Sequence, residues 1–407
     1  MRASKKLFGV FVCALTAILL LLKSGTGYAA TLYVPDGYST IQEAVNVARE
    51  GDTVIVGDGI YRNDSDTDID SIVVLDSKDI TIISENGPEK CILDGETGQQ
   101  DRRRVGFNFH GLSRKAKISG FTVTNCATRG ITIFGSSPTI SNCIIANNKT
   151  ELPGAGIGGS SSSPLIENCV FSGNSSEDDF WGGGGLHFDN SPAMLINCTI
   201  TGNHAIKGGG ISSYSSNIQI QNCIIGENSA KILGGGIRSW NDFSIAIGNC
   251  VISSNWARHG GGIYLERSYP KITNCTITMN KKDGIRCVVS DPVISNSILW
   301  DNRIEIATPK WGKPRIYSHP VVSYSNVQGS YRGTGNIDMD PAFINPPKGD
   351  FRLSKDSPCI NAGTNDVEGL SSTDLAGNSR IRDVTVDMGA YEYQSGSSTD
   401  DTGKYEP

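Results

Sequence analysis

The sequence predicts an all-β protein, a single-domain right-handed parallel β-helix in which three sheets form a solenoid between a helical N-terminal cap and an irregular C-terminal cap. The main evidence is a recurring motif, Ile-x-Asn-Cys-x-Ile-x-x-Asn, whose cysteines are spaced by 17, 26, 29, 25, 27 and 25 residues. Spacings of this kind are typical of repeat architectures. The copies carry Asn-Cys at 125–126, 142–143, 168–169, 197–198, 222–223, 249–250 and 274–275, with a degenerate Asn-Ser copy at 296–297.

Two further observations identify strands rather than helices. Apolar residues within a motif alternate with polar ones, as around Ile140, and many are β-branched, which is typical of short strands. Several motifs lead into Gly-Gly-Gly-Ile or a close variant. We therefore expect each repeat to be one coil: a first strand after the glycines, a Ser/Pro turn, a second strand, a corner at the asparagine, and a third strand that contains the cysteine.

The corner asparagines have a predicted structural role. Asparagine tolerates the left-handed backbone conformation better than most residues. Equivalent asparagines would stack about 4.8 Å apart in neighbouring coils and could form a hydrogen-bonded ladder. A single coil cannot bury its apolar face, so the coils stabilise one another by stacking.

The chain divides into five segments. Residues 1–30, with Arg2, Lys5, Lys6 and an apolar run, are typical of a secretory signal; a permanent membrane anchor is the alternative, although the run is short for one. Residues 31–60 form the N-terminal cap, with a helix after Ser39 or Thr40 that would cover exposed strand edges. The β-helix occupies 61–330, the C-terminal cap 331–393, and a polar tail predicted to be disordered 394–407.

Charge and cysteines limit the function and the environment. The formal net charge of −6 falls to −10 once the signal and its four cations are removed, which argues against a nucleic-acid partner. Ten cysteines would remain, and a secreted chain raises the possibility of disulfides. Stacked cysteines about 4.8 Å apart are too distant for disulfide bonds, so we expect buried free thiols. Cys91, Cys287 and Cys359 fall outside the repeat and have no predicted position.

Three segments carry a family resemblance. The entry segment Thr40-Ile41-Gln42-Glu43-Ala44-Val45, the Asn-Cys coils, and the exit segment Asp387-Met388-Gly389-Ala390-Tyr391-Glu392 resemble secreted bacterial right-handed β-helix proteins of the pectate-lyase-like superfamily. The resemblance implies the fold across residues 31–393, an extracellular or cell-surface location, and ligands on the outer face of the first sheet. It does not imply one activity, because that superfamily includes lyases, hydrolases, esterases and proteins without known chemistry.

Alternation along the first strands predicts which side chains form that outer face. The residue after each post-glycine Ile or Leu, and the residue two further on, should point outward. This gives a face rich in aromatic and charged residues, which suits a sugar chain. The residues expected to bind substrate are Asp189, Tyr214, Trp240 and Glu266 of this face, together with Trp181 from the loop that precedes the glycines. The alternative is that the variable loops fold over the face and bury its aromatic residues.

Chemistry on this face would require particular pairs. A glycoside hydrolase needs two carboxylates roughly 5–9.5 Å apart, and Asp189 and Glu266, three coils apart, would be separated by about 14 Å. A uronate lyase, which cleaves by β-elimination, needs cations for the sugar carboxylate and a proton acceptor. Its candidate catalytic residues are His187, Arg238, Tyr264 and Arg286. Asp178 and Asp179 could hold Ca²⁺ or be simply solvated; otherwise no cofactor is expected.

Three functions therefore remain open at this point. The first is a secreted, monomeric polysaccharide-binding protein without established catalysis, whose partner is a polysaccharide or cell-surface glycan. The second is a polysaccharide lyase, and the third is a structural or adhesive cell-surface protein. The sequence does not decide whether the protein is an enzyme. No membrane span is expected after cleavage of the signal.

Overall fold

The computed structural model describes residues 29–62, 71–96, 104–310, 312 and 316–394. The predicted signal, apart from Ala29 and Ala30, and the predicted tail, apart from Gln394, lie outside the described residues. Within the described ranges, no helix is both long and apolar enough to cross a membrane.

The predicted architecture is confirmed: the described residues form a right-handed parallel β-solenoid with three main sheets. The first sheet contains the strands that follow the glycines. Its strands are Ser71–Asp76, Val105–His110, Arg129–Phe134, Ile157–Ser160, Leu186–Asp189, Ile211–Tyr214, Ile237–Trp240, Ile263–Glu266, Asp283–Val288 and Ile304–Ala307.

The second sheet begins in the entry segment, so that segment supplies coil strands as well as a helix. Its strands are Thr31–Val34, Thr53–Val56, Thr81–Ser84, Lys117–Ser119, Thr139–Ser141, Leu165–Glu167, Met194–Ile196, Gln219–Gln221, Ala246–Gly248, Lys271–Thr273, Val293–Ser295 and Val321–Ser323.

The third sheet closes each coil. Its strands are Gly59–Tyr61, Cys91–Asp94, Thr122–Thr124, Ile144–Ala146, Val170–Ser172, Thr199–Thr201, Ile224–Gly226, Val251–Ser253, Thr276–Thr278, Ile298–Trp300 and Asn326–Val327. Inward Ile, Val, Leu, Phe and Cys side chains of the three sheets fill the continuous core.

A further parallel sheet occupies segments that the sequence analysis treated as loops. These segments hydrogen-bond from coil to coil after the third strand, so they continue the solenoid on the way to the glycines. The strands are Lys149–Thr150, Ser175–Ser176, His204–Lys207, Ser229–Leu233 and Trp256–His259.

The predicted N-terminal helix is present as α1, Ile41–Val47. Thr40 is its N-cap, and the Thr40 and Glu43 side chains form both bonds of a capping box. Ile41, Ala44 and Val45 are buried against the first coils. The apolar face of α1 thus joins the core at the entry end of the solenoid.

The predicted asparagine ladder exists, but its continuous part is formed by the second asparagine of each motif. The corner asparagines adopt the left-handed conformation as expected, with φ between 50° and 56°. They pair directly at Asn197–Asn168 and Asn249–Asn222. The continuous ladder lies five residues after each cysteine from Cys143 to Cys275, and five after Ser297. In it the amide oxygen of one asparagine accepts both the backbone N–H and the side-chain N–H of the equivalent residue in the preceding coil, at 2.9–3.1 Å. Its members are Asn148, Asn174, Asn203, Asn228, Asn255, Asn280 and Asn302.

The cysteine prediction is also confirmed, because all ten described cysteines are buried and free. Cysteines of neighbouring coils are in contact, since the backbone N–H of Cys198 donates to Cys223 Sγ and that of Cys223 to Cys250 Sγ, both at 3.4 Å. The three unplaced cysteines now have positions: Cys91 begins a third-sheet strand, Cys287 is a core residue of the first sheet, and Cys359 packs in the C-terminal region.

The C-terminal region is irregular, as predicted. It contains the antiparallel strands Phe343–Asn345 and Asp350–Leu353, joined by the 3₁₀ turn Pro346–Lys348. Residues 340–393, here called the return segment, run back along the outside of the third sheet. Thr364 exchanges hydrogen bonds with Asn296, Asn274 donates to the Asp387 carbonyl, and Asn249 donates to the Thr373 carbonyl.

Candidate functional site

The register of the first sheet confirms the predicted columns of outward residues. His187, Ser212, Arg238, Tyr264 and Arg286 are successive partners and form the inner column, nearer the glycines. Two residues further along the same strands lie the members of the outer column, which are Asp189, Tyr214, Trp240, Glu266 and Val288. All side chains of one column share one face of the sheet.

The inner column is covered over much of its length. His187, Arg238 and Tyr264 are 4%, 4% and 5% exposed, respectively. Three of the four candidate catalytic residues, Tyr264 among them, are therefore buried. The alternative of loop coverage applies to this column.

The covering segment is residues 177–183, here called the covering loop. Its shape depends on Asp178, whose Oδ1 accepts the backbone N–H groups of Phe180, Trp181 and Gly182 at 2.5–3.2 Å. The loop is also tied to the sheet. The Trp181 carbonyl accepts from Arg238 Nη1 at 3.0 Å and from Ser212 Oγ at 2.5 Å.

Burial changes the chemistry available to the candidate catalytic residues. Desolvation, with smaller contributions from Arg129 and Arg238, lowers the pKa of His187 to about 3, so its imidazole is neutral near pH 7. Desolvation, and then the neighbouring Glu266 carboxylate, raise the pKa of Tyr264 to about 12, which keeps the phenol protonated. Arg286 forms an ion pair with Asp283 at 3.1 Å.

From Asp189 to Glu266 the outer column remains accessible, and two of its aromatic rings contact the Trp181 ring of the covering loop. The Trp181 and Tyr214 ring centroids are 4.8 Å apart, as are those of Tyr214 and Trp240, and the two tryptophans are 5.7 Å apart. All three side chains are half-buried. The Arg238 guanidinium lies 5.2 Å from the centroid of the Trp240 ring, where a cation–π contact stabilises it. These rings form the aromatic platform.

Carboxylates flank the platform at both ends. Asp189 precedes Tyr214 in the outer column, and Glu266 follows Trp240. Both are partly exposed. Partial burial raises the pKa of Asp189. Asp189 and Glu266 are three coils apart in the register, as predicted, which keeps them from acting as a hydrolytic pair.

A slot that the sequence analysis missed lies beside the platform. The coil that carries Ile157–Ser160 presents only Gly158 and Ser160 outward, and this leaves a cleft of about 170 Å³ in the face. Phe134 bounds it in the preceding coil; Trp181, His187 and Asp189 bound it on the other side.

Arg129 lies across the floor of this slot and was also missed. Its Nε donates to the Pro153 carbonyl at 2.8 Å. A Cβ at position 158 would lie 2.3 Å from that Nε, so Gly158 provides the space that the side chain occupies. The sequence signal was the loss of side chains in Gly158-Gly159, at positions where the neighbouring coils carry Thr132-Ile133 and His187-Phe188.

Comparison with known proteins identifies the family. The family described as "Right handed beta helix region" matches residues 54–191, 105–257 and 184–308, which together cover more than half of the chain. This chain belongs to the right-handed β-helix family. No curated protein matches its sequence.

Among solved structures, this β-helix protein is similar in fold to a pectate lyase, Pel9A, with a TM-score of 0.60 and 15% identity over 91% of this chain and 98% of the other. A XylC structure in complex with xylose has a TM-score of 0.48 and 10% identity, over 89% and 98%. A pectin methylesterase from Erwinia chrysanthemi has a TM-score of 0.37 and 12% identity, over 81% and 99%. The first likeness shows the fold alone, and the other two carry no argument about this chain.

The two predicted metal ligands of this β-helix protein have different surroundings. Asp178 Oδ1 already accepts hydrogen bonds from three backbone N–H groups of the covering loop. Asp179 is exposed beside it. No cluster of three or more His, Cys, Asp or Glu side chains suited to a metal occurs in the part of the chain that the structure describes. Calcium binding therefore stays a prediction.

Proposed function

We propose that this protein binds a polysaccharide along the outer column of its first sheet, without catalysing a reaction on it. The observation that carries the proposal is the aromatic platform, in which Trp181, Tyr214 and Trp240 lie half-exposed in contact with one another. Solvated strands usually carry small polar residues rather than adjacent aromatic rings. Aromatic faces stack on the apolar faces of sugar rings, and the flanking Asp189 and Glu266 carboxylates can accept hydrogen bonds from hydroxyl groups.

The fold supports the same class of ligand. The pectate lyase with the same fold is named for an action on pectate, which is a polysaccharide. Stacked coils present equivalent side chains at a regular spacing, so an extended polymer can contact several coils at once. An isolated sugar would use only part of such a surface.

The lyase alternative receives less support from the geometry. A β-elimination needs a group that takes a proton from the sugar and a cation at its carboxylate. His187 is buried and weakly basic, and Tyr264 holds its proton tightly. Arg238 donates to the Trp181 carbonyl beneath the covering loop, and Arg286 is paired with Asp283.

Location and assembly complete the proposal. We propose that the predicted signal directs the protein out of a bacterial cell and that the mature form is monomeric, secreted or held at the cell surface. The partner would be an extracellular or cell-surface glycan. The structural or adhesive alternative would use the same fold without a glycan partner, and a binding assay distinguishes the two.

The decisive test is Trp240→Ala assayed by affinity electrophoresis and calorimetry against neutral and acidic polysaccharides. Loss of one ring of the platform should weaken binding by about 1–3 kcal/mol, the scale found for bases stacked on aromatic side chains. Tyr33→Ala is the matched control, since Tyr33 is an exposed aromatic residue on the second sheet. Equal affinities for Trp240→Ala and the unmodified protein, or no binding to any glycan, would contradict the proposal. Release of unsaturated oligosaccharides would favour the lyase.

A further inference from the structure

We infer that the bound glycan is uncharged and that one of its sugar rings occupies the slot over Gly158 and Ser160. This inference rests on the proposed function and adds a ligand class and an anchoring position to it. It goes against the expectation, drawn from the sequence, that arginines on this face select acidic sugars.

The slot has the size of a site for one ring. Pockets for drug-sized ligands measure about 300–1,000 Å³, and this cleft measures about 170 Å³. It is one coil wide, because Gly158 and Ser160 separate Phe134 from Asp189. Trp181 forms part of its wall and also belongs to the aromatic platform. A chain anchored in the slot would therefore continue directly onto the platform.

One residue that lines the slot carries a buried polar atom without a partner. His187 Nδ1 is inaccessible and has no hydrogen-bond partner, although His187 lines the cleft and is itself 4% exposed. Buried polar groups are normally paired, and an unpaired one costs about 1–3 kcal/mol. A neutral imidazole nitrogen can bond a hydroxyl group as donor or acceptor, according to its tautomer. A sugar hydroxyl would satisfy it without adding charge.

The cations expected to attract an acidic sugar already form hydrogen bonds or ion pairs within the protein. Arg238 donates to the Trp181 carbonyl and to Ser212 and is 4% exposed. Arg286 is paired with Asp283. Lys207 lies over the Phe180 ring at 5.5 Å and donates to the Phe180 carbonyl. Lys231 and Arg258 are exposed, but they lie on the further parallel sheet, in the strands Ser229–Leu233 and Trp256–His259, and not on the first sheet.

Arg129 needs separate treatment because it lines the slot. Its Nε donates to the Pro153 carbonyl. Desolvation lowers the pKa of Arg129, and the nearby Asp178 carboxylate opposes that shift. Asp189 lines the same cleft. Arg238 and Lys207 keep their charges although they donate to carbonyls, so three cations here meet four carboxylates, those of Asp178, Asp179, Asp189 and Glu266. A polyuronate would meet net repulsion along this path, whereas hydroxyl groups would meet acceptors.

The test uses Ser160→Trp, which fills the slot from an outward position and leaves the core unchanged. Gln219→Trp on the second sheet is its control, since Gln219 is also an exposed, outward polar residue. Titration calorimetry should compare uncharged gluco-, xylo- and manno-oligosaccharides with oligogalacturonate. We expect the unmodified protein to bind an uncharged oligosaccharide at least about tenfold more tightly than oligogalacturonate, and Ser160→Trp to lose about tenfold or more of that affinity, or about 1.4 kcal/mol. Gln219→Trp should retain it.

A second variant tests the charge argument. The double substitution Asp189→Asn with Glu266→Gln should strengthen oligogalacturonate binding, because it removes the repulsion from the outer column. Preferential binding of oligogalacturonate by the unmodified protein, weakened by Trp240→Ala, would overturn this inference and leave the proposed function intact. Unchanged affinity in Ser160→Trp would remove the slot. Failure of every glycan to bind would overturn both proposals.

Discussion

The inner and outer columns of the first sheet lie two residues apart on the same strands, yet they have opposite environments. His187 and Arg238 are buried beneath the covering loop and Tyr264 is buried one coil further on, while the outer-column residues Asp189, Tyr214, Trp240 and Glu266 remain accessible. The two asparagine rows differ in part in the same way: the second asparagines of the motif are buried throughout, whereas the corner asparagines are at least partly exposed from Asn125 to Asn222 and buried from Asn249 to Asn296. Alternation decides which side of the sheet a residue faces; contacts distant in sequence decide whether that side is exposed.

The asparagine rows allow the largest test of this contrast. Asn228 accepts two hydrogen bonds from Asn203 and donates to the Ile200 carbonyl and to Asn255. Asn228→Ala leaves several of these buried groups unpaired, so we expect unfolding to become easier by about 4 kcal/mol. Denaturant titration measures the change.

The corner residue of the same coil is the matched comparison. Asn222 is half-buried, with φ of 55°, and accepts one bond from Asn249. Asn222→Ala should cost about 1–2 kcal/mol, mainly because alanine tolerates the left-handed conformation poorly. Equal costs at positions 222 and 228 would remove the distinction between the rows.

Arg238→Ala and Trp240→Ala compare the two columns on a single strand. Arg238 holds the covering loop through the Trp181 carbonyl, so its loss should lower the free energy of unfolding by about 2 kcal/mol. Trp240 is half-exposed, and its loss should cost about 1 kcal/mol or less. Thermal unfolding gives both values, and hydrogen exchange of the amides in 178–182 shows whether the loop is released. A larger destabilisation by Trp240→Ala would reverse the assignment of covered and open columns.

The last comparison concerns pH. The folded pKa of His187, about 3, lies below its ordinary value of 6.5, so its contribution to stability is complete above pH 6.5 and is lost as pH falls toward 3, at up to about 1.4 kcal/mol per pH unit. Burial raises the pKa of Asp189, and that contribution has the opposite sign: it is complete below the ordinary pKa of 3.8 and lost as pH rises through the folded value.

Stability measured from pH 7 to pH 4 separates these contributions. His187→Gln should make the free energy of unfolding fall less steeply between pH 7 and pH 4. Asp189→Asn should make it fall slightly more steeply, and the change is small because Asp189 is partly solvated. An unaltered acid limb in His187→Gln would mean that His187 is solvated in solution and that the covering loop opens readily.

The sequence predicted the fold well because its signals are local and repeated. The glycines and the asparagine corners set the phase of every coil, and this is enough to place Asp189, Tyr214, Trp240 and Glu266 in one column. The second asparagine of the motif was visible at a constant distance from each cysteine, but the ladder was attributed to the corner residue instead.

Which residues of the site are covered and which are exposed could not be predicted from the repeat. The covering of His187 depends on bonds between Trp181 and Arg238, 57 residues apart, and between Trp181 and Ser212, 31 residues apart. The loop conformation in turn depends on three amides that converge on one oxygen of Asp178. Periodicity carries no information about such contacts. The slot over Gly158 was not predicted because site residues were chosen by their side chains, and a glycine in an outward position has none.

The return segment changes how the solenoid comes apart. In an array of identical coils, each unit is coupled to its nearest neighbours, and the terminal coils can fray one at a time. Here residues 364, 373 and 387 bind three different coils through Asn296, Asn249 and Asn274. Phe351, Ala390 and Tyr391 pack together with Val251 of an earlier coil. The return segment thus links several coils of the C-terminal half. We expect those coils to unfold together, once the return segment has detached, rather than one after another.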